Sequence, residues 1–211
     1  MGTAQVPVYK YSELSEKAQE KAREEYLQDG IGYDWWSLLY EDFAHAADIL
    51  GIDLRQHVVK LMGGGTRNEP AIYFSGFWSQ GDGACFEGDY AYAKGSTTKI
   101  REYAPEDKAL HAIADNLYKI QRRYFYQLTA SVLLKNSHYY HERSTEIRVY
   151  WQADDYRDIG TAEEEIAEEL RNYMRYMYRR LEKEYEWLTS DEQVAETLET
   201  NEYEYTEDGA M

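Results

Sequence analysis

The chain has 211 residues, a length at which about 70 % of the unfolded surface can be buried without help from a disulfide or a metal. Its 40 acidic and 23 basic side chains leave a formal net charge of −17, which opposes direct binding of nucleic acid phosphates and favours basic surfaces, including those of proteins that bind nucleic acid. The single cysteine rules out an internal disulfide and suits a reducing cytoplasm; no apolar run approaches the ~20 residues that span a membrane, and the opening MGTAQVPVYK lacks the apolar segment of a secretory signal.

In chain order, VPVYKY reads as a short lead-in strand. SELSEKAQEKAREEYLQDG predicts a helix with Ser12 as N-cap and Gly30 as its stop, and Leu14, Ala18, Ala22 and Tyr26 repeat every four residues along one face. DWWSLLYEDFAHAADILG predicts a second helix, capped by Asp34 and ended by Gly51, with Trp36, Leu39, Phe43, Ala46, Ala47 and Leu50 as its apolar stripe. IDLRQHVVKLM reads as a strand and GGGTRNEP as a loop. AIYFSGFW and ACFEGDYAYAKG flank a glycine-rich turn and predict a hairpin.

APEDKALHAIADNLYKIQRRYF returns to helical spacing, with Pro105 suited to the first helical position and Leu110, Ile113, Leu117 and Ile120 inward. YQLTASVLLK and TEIRVYWQ are strands joined by the polar NSHYYHERS. A long helix starts after Thr161, with Glu163, Glu164 and Glu165 at the positive end of its dipole. No basic residue follows Lys183, so residues 190–211 read as an acidic tail, either disordered or a binding arm. The order of elements predicts an α+β domain over 1–189: an antiparallel sheet of four to five strands, helices on one face and a long C-terminal helix.

The segments ELSEKAQEKAREEY, DWWSLLYEDFAHAADILGI, IYFSGFWSQGDGACFEGDYAYAKG and IREYAPEDKALHAIADNLYKIQRRYFYQLTASV, with HYYHE, resemble a family of small bacteriophage, prophage and proteobacterial proteins. Members are often labelled "antitoxin of toxin–antitoxin stability system". The resemblance covers roughly residues 10–155, and SGFWSQGDGACFEG is its most specific part. It implies a phage or mobile-element context, in which small acidic proteins block host defence systems or neutralise toxins.

Each candidate for chemistry has a plainer counterpart. Cys85 as a nucleophile needs a histidine base (His57, His111, His138 or His141) and an orienting acid such as Asp82. In a tight turn Ser79, Gln80, Gly81, Asp82 and Gly83 need only two glycines at positive φ and an aspartate bonded to the backbone. Strand alternation puts Cys85 on one face with Glu87 and Asp89, where carboxylates raise a thiol pKa rather than lower it. His138 and His141 are three apart but lie between strands without an HExxH pattern, and GGGTRNE lacks the Lys-Ser/Thr ending of a phosphate loop, so no metal or cofactor is expected. Arg122 and Arg123 beside Tyr124, Phe125 and Tyr126 form a basic–aromatic cluster that local acids can neutralise. Glu163, Glu164, Glu165, Glu168 and Glu169, continued by Asp191, Glu192 and Glu196, can imitate the charge of a nucleic acid backbone.

These readings predict a non-enzymatic phage inhibitor of a host defence or nucleic-acid-handling protein, of anti-CRISPR type. Its partner, from host or phage, would present a basic nucleic-acid-binding surface to acidic, tyrosine-rich residues. A toxin-sequestering antitoxin and a Cys/His hydrolase or modifying enzyme are the alternatives.

Overall fold

The computed structural model describes residues 7–32, 34–61, 63–135, 139–152 and 158–211. The elements are β1 (Tyr9–Lys10), a 3-10 turn (Tyr11–Glu13), α1 (Glu16–Asp29), α2 (Ser37–Leu50), β2 (Ile52–Leu54), β3 (Gln56–Lys60), β4 (Thr66–Pro70), β5 (Ile72–Ser75), β6 (Gly83–Phe86) and β7 (Gly88–Ala91). They continue with α3 (Ser96–Tyr103), α4 (Lys108–Arg123), β8 (Leu128–Leu134), a second 3-10 turn (Glu142–Ser144), β9 (Thr145–Trp151), α5 (Ala162–Leu188), α6 (Asp191–Thr200) and β10 (Glu204–Tyr205). By their contacts, the residues before Ser37 group with those from Glu182 onward, and Ser37–Leu181 form a second unit.

The first unit is built on α1 and α6. Ala18 and Ala22 on one helix and Val194 and Leu198 on the other are buried with Tyr11, Leu14 and Tyr205 in one core. The small alanines let the helices approach closely. β1 and β10 pair antiparallel, Tyr9 opposite Tyr205. The residues expected as an acidic tail therefore include a helix with one apolar face. Ser15, not Ser12, caps α1, its hydroxyl accepting from the Ala18 N–H at 3.4 Å; Ser12 lies in the preceding 3-10 turn.

The second unit has the expected α+β class. Four strands form an antiparallel sheet in the order β2-β7-β8-β9, with helices packed against it. Along β8, Leu128, Ala130 and Val132 are buried, and along β9 so are Thr145, Ile147, Val149 and Trp151, leaving the alternate residues more exposed. Phe43 of α2, Leu110 of α4, and Ile166, Leu170 and Tyr173 of α5 are fully buried. The Tyr173 hydroxyl donates to the Phe43 carbonyl at 2.5 Å, so the ring is buried without an orphaned oxygen.

The run expected as one strand, IDLRQHVVKLM, is two. β2 pairs with β7, and after Arg55 the chain pairs with β4 instead. The break belongs to a three-way junction. The Arg55 N–H donates to the Glu87 carbonyl at 2.9 Å, the Glu87 N–H to the Ala71 carbonyl at 2.9 Å, and the Ala71 N–H to the Arg55 carbonyl at 2.7 Å. Each of these residues continues the register of two strand pairs, so three ladders exchange partners with these three donors and acceptors all satisfied. The expected loop GGGTRNEP contains β4 for this reason: Thr66–Pro70 pairs with β3 as a ribbon, and none of its residues is buried.

Two further boundaries differ from expectation. Asp107, not Pro105, starts the helix over 108–123, its carboxylate accepting from the Ala109 and Leu110 N–H groups at 3.1 and 3.0 Å. α2 begins at Ser37, after a turn that includes Asp34. A helix not anticipated at all, α3, buries only Ser96 and Ile100, too little to show a stripe.

Candidate functional site

The SQGDG segment is the connection between β5 and β6, where Ile72 faces Phe86, Tyr73 faces Cys85 and Ser75 faces Gly83. The Asp82 carboxylate accepts from the Ser79 N–H at 2.7 Å, and the Asp82 N–H donates to the Ser79 carbonyl at 3.2 Å. Gly81 takes the expected positive φ, 93°. Gly83 does not, and it is a glycine for another reason. A Cβ there would sit 2.8 Å from His141 Cδ2 and 3.0 Å from His141 Cα. Around the turn Phe74 stacks on Phe77 with ring centroids 5.8 Å apart, Phe77 lies 5.6 Å from Tyr178 of α5, and Tyr73 stacks on Tyr140 at 5.1 Å.

Cys85 is fully buried, and burial, with Glu87 and Glu142 adding to it, pushes its thiol up to about 12. Among the described residues no histidine hydrogen-bonds to it. His111 Nε2 is 2.8 Å from the Ala104 carbonyl, and His141 Nδ1 lies 2.9 Å from Glu142 Oε2 and 3.1 Å from the Arg143 nitrogen. His138 lies outside the described residues, and with it the His138/His141 metal reading. Among the described residues no group of three His, Cys, Asp or Glu side chains is placed to hold a metal ion.

A thiol of this kind should not react with a disulfide reagent at mildly alkaline pH until the protein unfolds. Full labelling of the folded chain would contradict the burial. Because the folded pKa lies above the unfolded one, the stability it contributes is complete below the free-thiol value of about 8.5 and falls as pH rises toward 12.

The carboxylates predicted on the long helix have a definite setting. Glu164, Glu165, Glu168 and Glu169 of α5 form one wall of a cleft of about 590 Å³, with Asn116, Lys119, Ile120 and Arg123 of α4 opposite. Glu165 pairs with Arg123, which holds its carboxyl below the usual range, and also accepts from the Thr161 hydroxyl at 2.8 Å. Glu168 pairs with Arg175. Glu169 accepts from the Asn116 amide at 3.2 Å through Oε1, while Oε2 is buried with no hydrogen-bond partner among the described residues. Burial raises the Glu169 carboxyl above its usual range. Glu163 and Glu164 are exposed and form no ion pair among the described residues.

Asp191, Glu192 and Glu196 belong to α6 in the first unit. Asp191 lies 3.7 Å from Arg23, while Glu192 and Glu196 are exposed one turn apart, on the side away from buried Val194 and Leu198. The acids were legible in the sequence. The facing wall was not, apart from Arg123, because Asn116, Lys119 and Ile120 show no pattern beyond an ordinary amphipathic helix. Glu142 of HYYHE was legible only as a companion of the histidines; the structure buries it 3.3 Å from the Arg175 guanidinium, which binds Glu168 and Asn172 as well.

Among the described residues no helix is long and apolar enough to cross a membrane. Neither the curated proteins nor the solved structures contain a match to the chain. Residues 35–191, which span the whole second unit, match the domain of unknown function DUF8835, and the chain belongs to that family.

Proposed function

We propose that the protein is a non-enzymatic inhibitor that occupies the basic, nucleic-acid-binding surface of another protein. In the phage context that the sequence resemblance implies, that partner is a host defence or nucleic-acid-handling protein. The observation that carries this reading is the exposed acidic rim of the α4–α5 cleft in a chain of net charge −17: Glu164, without an ion pair among the described residues, and Glu168 beside Arg175, next to exposed Glu163. Guanidinium and ammonium groups are the natural occupants of such a rim, and a protein that grips nucleic acid presents them in rows. The buried thiol, whose raised pKa keeps it neutral, counts against the reading in which Cys85 is a nucleophile.

The test is capture of the partner on immobilised protein, followed by measurement of that partner's DNA or RNA binding with and without the inhibitor. Wild type should abolish it. The triple variant Glu163→Gln, Glu164→Gln, Glu168→Gln should bind about tenfold more weakly at physiological salt, roughly 0.5 kcal/mol for each exposed charge. The difference should vanish at high salt, where the Debye length shrinks to about 3 Å. Equal affinity of wild type and variant at every salt concentration would remove the electrostatic basis of the proposal.

A further inference from the structure

The chain leaves α4 at Arg123 and enters β8 at Leu128 through a turn in which Phe125 and Tyr126 both have positive φ, 53° and 60°. A left-handed backbone costs an L-residue roughly 1–2 kcal/mol, and a bulky side chain there is uncommon. The surrounding contacts enforce it. The Tyr126 N–H donates to the Gln121 carbonyl at 2.8 Å, the Gln127 N–H to the Tyr124 carbonyl at 3.1 Å, and the Tyr124 hydroxyl to the Ile159 carbonyl at 2.9 Å. The Tyr126 ring lies 4.4 Å from Tyr92, and the Tyr124 ring 6.2 Å from Trp151.

Both tyrosines thus account for themselves by packing. Phe125, between them, is 74 % exposed. It brings an unfavourable backbone and a large apolar side chain in water, and asparagine or glycine would relieve both at once. The turn needs a left-handed backbone at this position but not an exposed phenylalanine, and that side chain points to use elsewhere. Two residues earlier, Arg123 lines the acidic cleft, and its guanidinium carbon lies 5.9 Å from the Tyr124 ring centre.

We infer that Phe125 is an apolar anchor, and that the cleft and Phe125 together take a partner segment carrying arginine or lysine beside one large apolar side chain. This rests on the proposed binding function and specifies it. The exposed carboxylates of Glu164 and Glu168 receive the cations, and Phe125 receives the apolar group. Aromatic residues beside a polar rim are the composition of a protein interface.

The test uses two short acetylated peptides. One alternates arginine and glycine; the other has a single central glycine replaced by leucine. Both are titrated calorimetrically at low salt against the full chain and against Phe125→Asn. The leucine peptide should bind wild type about tenfold more tightly than its parent, and Phe125→Asn should erase that advantage, bringing the ratio of the two affinities to about one. The variant's melting temperature should stay level or rise by about 2 °C, since asparagine tolerates the left-handed backbone.

Equal binding of the two peptides to wild type would overturn the anchor and leave the acidic cleft standing. A lowered melting temperature in Phe125→Asn would make Phe125 a residue of the fold and overturn it too. If neither peptide binds, the cleft reading fails, and the anchor with it.

Discussion

Gln121→Leu should destabilise the protein by about 3–5 kcal/mol, seen as an earlier denaturant midpoint at unchanged slope. Gln121 is fully buried on α4. Its amide donates to the Leu128 carbonyl at 2.7 Å, and its carbonyl oxygen accepts from the Leu128 N–H at 3.2 Å. The register explains the need. β7 ends at Ala91 opposite Thr129, so Leu128 has lost its neighbour on that edge of the sheet just where it is buried. The Gln121 side chain stands in for one more residue of β7. Leucine fills the space but leaves a buried donor and acceptor unmet, at about 1–3 kcal/mol each. Tyr90→Phe, which removes only the 3.3 Å contact between the Gln121 amide and the Tyr90 hydroxyl, should cost about 1 kcal/mol or less. A loss below about 1 kcal/mol for Gln121→Leu would show that the Leu128 groups find other partners.

Gln121 also shows where sequence reasoning stops. α4 was legible because Leu110, Ile113, Leu117 and Ile120 fall on one face, and that face is buried. Gln121, four residues after Leu117, falls on that same face, but its amide gives no sign in the sequence that a backbone edge elsewhere needs it there. The same limit hides the ring at Arg55, Ala71 and Glu87. It is made by main-chain groups, and no side-chain period reports them. β4 escaped because a two-stranded ribbon open to water needs no apolar alternation. α5 was legible from its cap region to its end, since Ile166, Leu170, Tyr173 and Met177 repeat at helical spacing. Its acids were legible as residues but not as a cleft, because a cleft needs a second wall and only the fold supplies α4. Phe125 was visible as part of a basic–aromatic run. Its left-handed backbone was not, since every local preference argues against it.

Gly88→Val should cost about 3 kcal/mol or more and should loosen β2 before any other strand of the sheet. Gly88 is buried in β7, opposite Leu54 on one side and Val132 on the other. Its φ is not positive, so the constraint is space alone. A Cβ would lie 2.4 Å from the Asp53 carbonyl oxygen and 3.2 Å from the Leu54 Cα. Both are main-chain atoms of β2, and no rotamer change can relieve the clash. β2 would have to shift outward, taking buried Ile52 and Leu54 with it and drawing Arg55 from Glu87 in the three-way ring. Hydrogen exchange is the discriminating measurement. The Arg55, Ala71 and Glu87 amides should lose protection together, while the Ser131, Leu133, Glu146 and Arg148 amides, which join β8 to β9, keep theirs. Gly63→Ala serves as the control. Its φ is not positive and nothing lies within 4 Å of where its methyl group would sit, so the change should stay within about 0.5 kcal/mol. If Gly88→Val were as mild as that control, β2 would not be held against β7 as closely as its register implies.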